Sequence, residues 1–350
     1  MVFESIQPGV PDPMYELKKT ADNDQSPLKV DLGVGIYRNE NGLYQELSSV
    51  REAKKRIAAA DLGHDYEITT GNREFLSEAS RVMFGNGNID PENLASVQTI
   101  SGTGAIHLAL LFIARSMSPL TKVFVGVPAW GNYKPALELV HLQITEYQHY
   151  DPSTRSFDHR ATLDAIQSAP PGSVFILQGC CHNPTGADPI PEQWDEIVDA
   201  LEEGSHLPLF DLAYQGLGQG LDEDAYAVRL CARRGMEMLV CQSFSKNFAI
   251  YGERCGALHI GCRDDKAAAN VHDQLRCLIR WEISSSPAYG SRIVKTVLTD
   301  DQMTAEWKSE LSSMRERIKD LRLQLCHQLT HVLKTPGDWT HITRENGLFA

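Results

Sequence analysis

The chain has no apolar run of membrane length. Its most apolar window, Ile106 to Ala114, is far shorter than the roughly 20 residues a helix needs to cross a bilayer, so no transmembrane helix and no membrane partner are expected. Positive charge is also scarce. The sequence carries 33 Lys and Arg against 46 Asp and Glu, a formal net charge of -13. Binders of a phosphate backbone depend on clustered cations, so nucleic acid is not an expected partner. The eight cysteines are scattered, with Cys180 and Cys181 adjacent and no C-x-x-C spacing. Neither a disulfide framework nor a metal site is signalled, and a reducing compartment fits. Met1 to Tyr15 shows no basic region followed by an apolar stretch, and it is neither Arg-rich nor poor in acids. Neither secretion nor mitochondrial import is expected, which leaves a cytoplasmic location. Biased or repetitive tracts are missing as well, so disorder is not indicated.

What is present is a globular composition, 42% hydrophobic and 23% charged over 350 residues, long enough for a large α/β domain or two domains. Short apolar runs alternate with helical patterns, the rhythm of a mostly parallel, helix-covered sheet. Strands are expected at Val97 to Ile100, Lys122 to Val127, Ser173 to Leu177, Leu207 to Phe210, Met238 to Gln242 and Ala257 to Ile260. Ligands of such sheets bind at strand C-terminal ends. Near the C-terminus Trp307, Leu311, Met314, Ile318, Leu321, Leu325, Leu329 and Val332 recur every three or four residues, predicting one long amphipathic helix. A short strand is expected over Trp339 to Thr343, followed by a turn at Glu345-Asn346-Gly347 that opens another.

Distinctive chemistry falls at these strand ends. Ser101-Gly102-Thr103-Gly104-Ala105 follows a strand and opens a helix. It reads either as an anion cradle, with glycines, hydroxyls and a helix N-terminus, or as an ordinary capped turn. Lys246 follows the run Met238 to Cys241 almost directly, where burial would favour a neutral, nucleophilic amine suited to an aldehyde cofactor, unless it is a plain loop lysine. Arg254 offers a bidentate phosphate contact or a surface charge. Asp211 ends an apolar run with Tyr214 close behind. A buried carboxylate requires a cationic partner such as a pyridinium nitrogen, though a strand-end Asp also serves as a cap. Asn183, in His182-Asn183-Pro184-Thr185-Gly186, and Trp130 follow two further strands. Asn183 can donate from its amide, and Trp130 can either stack on a planar ring or fill core.

With these segments in this order, the sequence resembles the aspartate aminotransferase group of class I, fold-type I aminotransferases, enzymes that use pyridoxal 5'-phosphate. The likeness runs from Asp12-Pro13 through Lys29-Val30-Asp31-Leu32-Gly33-Val34-Gly35-Ile36-Tyr37-Arg38 to Asn346-Gly347-Leu348-Phe349. It implies that Lys246 is the Schiff-base lysine and proton shuttle, Asp211 the partner of the pyridinium, and Asn183 and Tyr214 donors to the phenolic oxygen. Trp130 corresponds to the stacking ring, and Ser101, Gly102, Thr103, Ser243 and Arg254 to the phosphate cup. Tyr66 corresponds to a tyrosine that reaches a neighbouring subunit's phosphate, which implies a homodimer. Gly35, Trp130, Asn183 and Arg280 correspond to substrate-binding positions, with Arg280 either gripping a distal carboxylate across the dimer or standing with Arg276, four residues earlier, on a solvated helix face. The implied fold is a large cofactor domain, 42–299, with a mostly parallel mixed sheet. A smaller α/β domain is built from the arm 1–41 and the segment 300–350. The implied reaction is transamination between an L-amino acid, aspartate or glutamate first, and a 2-oxo acid.

The sequence also departs from that pattern. The family's Ser-Asn-Pro-Pro is here Ser284-Ser285-Ser286-Pro287, and Glu67-Ile68-Thr69-Thr70-Gly71-Asn72 differs too. An aromatic donor or lyase chemistry is therefore an alternative. The family chain continues beyond Asn-Gly-Leu-Phe and carries there the arginine for the substrate α-carboxylate, so the C-terminal domain is read as truncated. A non-catalytic, cofactor-binding fragment is the third reading, since losing such a contact costs about 2 to 5 kcal/mol.

Overall fold

The computed structural model describes residues 2–31, 35–118 and 120–349. Leu32, Gly33 and Val34 of the family-like N-terminal segment, and the last residue Ala350, lie outside the described residues. The chain divides into two units, 1–44 and 45–350. In the first, the helix Pro13–Asn23 starts at Asp12, whose carboxylate accepts from the amides of Met14 and Tyr15, satisfying donors that a first turn leaves free. Arg38 and Tyr44 form an antiparallel bridge.

The second unit is organised by a seven-stranded sheet. Its strands are β1 (Leu94–Ile100), β2 (Lys122–Val127), β3 (Gln143–Gln148), β4 (Val174–Gln178), β5 (Leu207–Leu212), β6 (Met238–Ser243) and β7 (Cys255–Gly261). The spatial order is β1-β7-β6-β5-β4-β2-β3. The pairs from β3 through β6 are parallel, whereas β7 runs antiparallel to both β6 and β1. The expected mostly parallel, mixed sheet is present. All residues of β6 and β7 are buried, which is why these strands show no alternation of apolar and exposed polar residues.

The antiparallel strand matters for the site. Because β7 is reversed, its start lies beside the ends of its two neighbours: Cys255 pairs with Ile100, and Gly256 pairs with Ser243. Residues that follow β1 and β6 thus meet residues that precede β7. Gly256 makes this possible, since a Cβ there would sit 2.6 Å from the Ser101 carbonyl carbon and 2.7 Å from the Gln242 oxygen.

The predicted long helix forms over Asp301–His327, with Asp300 capping the Met303 amide. Trp307, Leu311 and Met314 are buried as expected, but Leu321, Leu325 and Val332 are exposed. Trp307 stacks on Phe248 with ring centroids 4.6 Å apart and donates its indole N–H to the Asn247 carbonyl at 2.8 Å. The first half of the helix therefore supports the turn that carries Lys246.

The strand expected over Trp339 to Thr343 is instead a 3-10 turn, Thr340–Thr343, and no strand follows Gly347 among the described residues. The physical reason is Arg322. Buried on the long helix, it donates to the carbonyls of Ile342, Gly347 and Phe349, and carbonyls gathered around one guanidinium cannot also run in an extended ladder.

Candidate active site

Five strand ends and the start of β7 converge on a pocket of about 430 Å³. It is lined by Ser101, Gly102, Thr103, Trp130, Gln178, Asn183, Asp211, Ala213, Tyr214, Lys246 and Arg254. Size alone does not select it. A wider surface cleft of about 1910 Å³ passes Arg81, Arg229 and Arg315. Those guanidiniums are occupied by the carbonyls of Leu298, Met83 and Gly216.

One end of the pocket is a cluster of hydroxyls. Ser101 opens the helix Ser101–Ser116 directly after β1 with a positive φ of 59. Its Oγ lies 3.2 Å from Ser243 Oγ and 2.7 Å from Ser245 Oγ. Arg254, with φ 50, donates to Ser245 Oγ at 3.5 Å and to the Tyr251 carbonyl at 3.0 Å. Gly102 keeps the helix start close, since a Cβ there would meet Ser243 Cβ at 3.1 Å. Three hydroxyls, a helix N-terminus and a guanidinium form a donor set that matches a phosphate dianion. Thr103 lines the same pocket from an exposed position.

The other end holds a carboxylate. Asp211, on β5 and 8% exposed, accepts from the Tyr133 hydroxyl at 2.6 Å. Burial raises its pKa, opposed by that hydrogen bond and by the charge of Lys246. Lys246 lies between the two ends, its Nζ 4.9 Å from the centroid of the Tyr214 ring. Burial lowers the lysine's pKa, Asp211 opposes this, and Arg254 adds to it. Both partners are thus pushed toward their neutral forms, because each charge loses water that the other's opposing charge does not fully replace. Burial likewise raises the Tyr214 phenol, while a hydrogen bond from Asn183 opposes the shift. Asn183 is held at both backbone ends by Gln178, whose side chain accepts from its amide at 2.8 Å and donates to its carbonyl at 2.9 Å.

The structure therefore brings together Ser101, Gly102, Thr103, Trp130, Asn183, Asp211, Tyr214, Ser243, Lys246 and Arg254. It does not bring Tyr66 or Arg280 into the lining. Tyr66 is 89% exposed, and Arg280, on the surface of the helix Asp265–Glu282, donates to the Ser284 hydroxyl. Gly35 lies in the separate N-terminal unit. Three residues were not singled out from sequence: Ser245, Gln178 and Tyr133. Ser245 had a signal in the spacing Ser243-Phe244-Ser245-Lys246. Tyr133 had none, because only the tertiary fold brings its hydroxyl to Asp211.

A family model, aminotransferase class I and II, matches residues 27–350. The chain belongs to the class I and II aminotransferase family. Aminotransferase tasG of Hapsidospora irregularis is 51% identical over 301 residues, covering 86% of this chain and 80% of the relative. The cytoplasmic aspartate aminotransferase of Dictyostelium discoideum is 40% identical over 350 residues, covering 99% and 79% respectively. A solved aromatic-amino-acid aminotransferase from Burkholderia pseudomallei, covalently bound to pyridoxal phosphate, superposes with a TM-score of 0.95 at 33% identity. That match covers 99% of this chain and 87% of the neighbour. Other relatives are named as mitochondrial and chloroplastic aspartate aminotransferases. The chain spans roughly four fifths of the length of these curated relatives. Like its family, this aminotransferase depends on pyridoxal phosphate and moves an amino group between an amino acid and a 2-oxo acid. The residues present fit that cofactor: a hydroxyl and guanidinium cup for its phosphate, an under-partnered buried carboxylate for its ring nitrogen, and a shielded amine between them. Among the described residues no helix is long and apolar enough to cross a membrane.

Proposed function

We propose that this aminotransferase takes L-aspartate or L-glutamate as amino donor and a 2-oxo acid as acceptor, with Lys246 as the residue that holds the cofactor and moves the proton. The observation that carries this reading is the placement of Lys246, depressed in pKa by burial, between a phosphate cup and the Asp211 carboxylate. When bound, pyridoxal phosphate supplies an aldehyde for the amino group and a protonated ring that accepts electrons. The protein's residues do the rest. Ser101, Gly102, Thr103, Ser243 and Arg254 anchor the phosphate, and Asp211 holds a proton at the ring nitrogen. Asn183 and Tyr214 donate to the phenolic oxygen, and Trp130 covers the ring face. Lys246, shielded and with its pKa lowered by burial, would hold the cofactor's aldehyde and would serve as general base and then general acid for the proton at the donor's Cα.

In this proposal Gly35, Trp130, Asn183 and Arg280 contact the substrate. Arg280 reads the distal carboxylate of the other subunit's substrate, and Tyr66 reaches the other subunit's phosphate. The exposure of Tyr66 and Arg280 supports a homodimer. We place the arm 1–41 and the segment 300–350 in a small domain beside a cofactor domain of 42–299. The proposed compartment is the cytoplasm, as named for the Dictyostelium discoideum relative. The deciding experiment is the visible spectrum of the purified protein with pyridoxal phosphate, before and after L-aspartate. Conversion of the cofactor band to the pyridoxamine form supports the reading. A band that aspartate leaves unchanged, but that an aromatic donor converts, would overturn the substrate assignment.

A further inference from the structure

Tyr133 makes the only side-chain hydrogen bond to Asp211 among the described residues, at Oδ2. It is the first residue of the helix Tyr133–Leu139 and is 2% exposed. Its ring meets Trp130 edge-on, with centroids 5.3 Å apart and planes at 86°. One side chain therefore joins the carboxylate to the indole that line the same pocket. We propose that Tyr133 is the positioning residue of Asp211: it occupies Oδ2 and leaves Oδ1 as the oxygen available to the cofactor's ring nitrogen. This rests on the reading that pyridoxal phosphate sits here with that nitrogen at Asp211.

A phenol does this differently from an ionisable neighbour. The titratable groups facing Asp211 are Tyr133 from its helix, Lys246 from the turn after β6, Tyr214 from the turn after β5 and Cys241 on β6. No imidazole is among them. His149 and His182 instead stack on each other at 3.6 Å, and they bond to the Ala187 carbonyl and the Thr185 hydroxyl. Burial and the adjacent carboxylate keep the proton on Tyr133. It therefore donates at every working pH, and Asp211 keeps the same hydrogen bond throughout.

The test is a pH titration of the visible band of the reconstituted holoenzyme. Tyr133→Phe keeps the ring and removes the donor. Its midpoint is expected to rise by about one unit, a tenfold change in proton affinity, because a ring nitrogen less firmly protonated leaves the nitrogen joined to Lys246 easier to protonate. In the same variant kcat is expected to fall about tenfold with the KM for L-aspartate nearly unchanged. Tyr133→His, which restores a donor, is expected to recover at least half of the shift and stays informative if the Phe variant folds poorly. A wild-type midpoint in Tyr133→Phe, or equal shifts in the Phe and His variants, overturns the proposal. Absence of a visible band in the wild type is a separate result that overturns the cofactor reading itself.

Discussion

Ser101, Ser243, Ser245 and Asp211 are 2%, 1%, 1% and 8% exposed, whereas Tyr66 is 89% exposed and Arg280 stands on a helix surface. The first set sits at the ends of buried strands whose register is fixed along their whole length. The second sits on a loop and a helix whose outer faces make few contacts. The difference separates two tasks. Cofactor chemistry needs charges and hydroxyls held without water and without reorganisation, and only the end of a packed sheet supplies that. Substrate choice is assigned to residues that a second chain is proposed to complete.

The largest effect expected to separate the two regions is that of Lys246→Ala. Losing the amine should abolish covalent cofactor retention and lower kcat by about 10⁴ or more, read by gel filtration of the loaded protein and by coupled assay. Arg280→Ala should leave the cofactor spectrum intact and weaken kcat/KM for aspartate by roughly 2 to 4 kcal/mol, with little change for phenylalanine. Equal losses for both donors would break the comparison, since they would place Arg280 among the general machinery. Next in size, Ser245→Ala should raise the cofactor dissociation constant by about fivefold to tenfold, the value of one hydrogen bond at about 1 kcal/mol. Equilibrium dialysis of the reconstituted protein measures it.

The smallest effect lies outside the pocket lining and serves as a control. Glu345, beside Arg322 at 3.7 Å, is pushed up to about 7 by burial, with Arg322, Arg344 and Arg155 opposing. Its folded pKa exceeds its unfolded value, so the stability it contributes is present below about 4.5 and is lost as pH rises toward 7. Glu345→Gln should therefore be more stable than wild type at pH 8 by about 1 kcal/mol in a urea melt. The two should converge below about pH 4.5, with the cofactor spectrum unchanged throughout.

Much of the site was legible because its residues stand at the ends of apolar runs. Lys246, Asp211, Asn183 and Trp130 each follow or close a strand pattern, and it is their joint occurrence in this order, not any one of them, that sets aside their ordinary uses as loop, cap and core residues. The sheet itself was legible for the same reason: strands buried on both faces read as continuous apolar runs. The C-terminal segment differs from expectation because Trp339 to Thr343 has a strand-like pattern, yet the carbonyl of Ile342 and those of Gly347 and Phe349 beyond it are claimed by Arg322, a residue far back along the helix. Ser245 and Tyr133 escaped notice on different grounds, the first hidden by a neighbouring serine and the second lacking any local sign.

By itself the sequence determined the α/β class, the places of six of the seven sheet strands along the chain and the chemical types gathered at their ends, whereas the half-exposed β3 gave no apolar run to read. These follow from local patterns of burial and turn chemistry. Tertiary structure alone decided that β7 runs backward and delivers Arg254 to Ser245, that Tyr133 reaches Asp211, and that Tyr66 and Arg280 stay outside the pocket lining. Each depends on which distant segments pack together, and packing partners are not encoded in the spacing of any one segment.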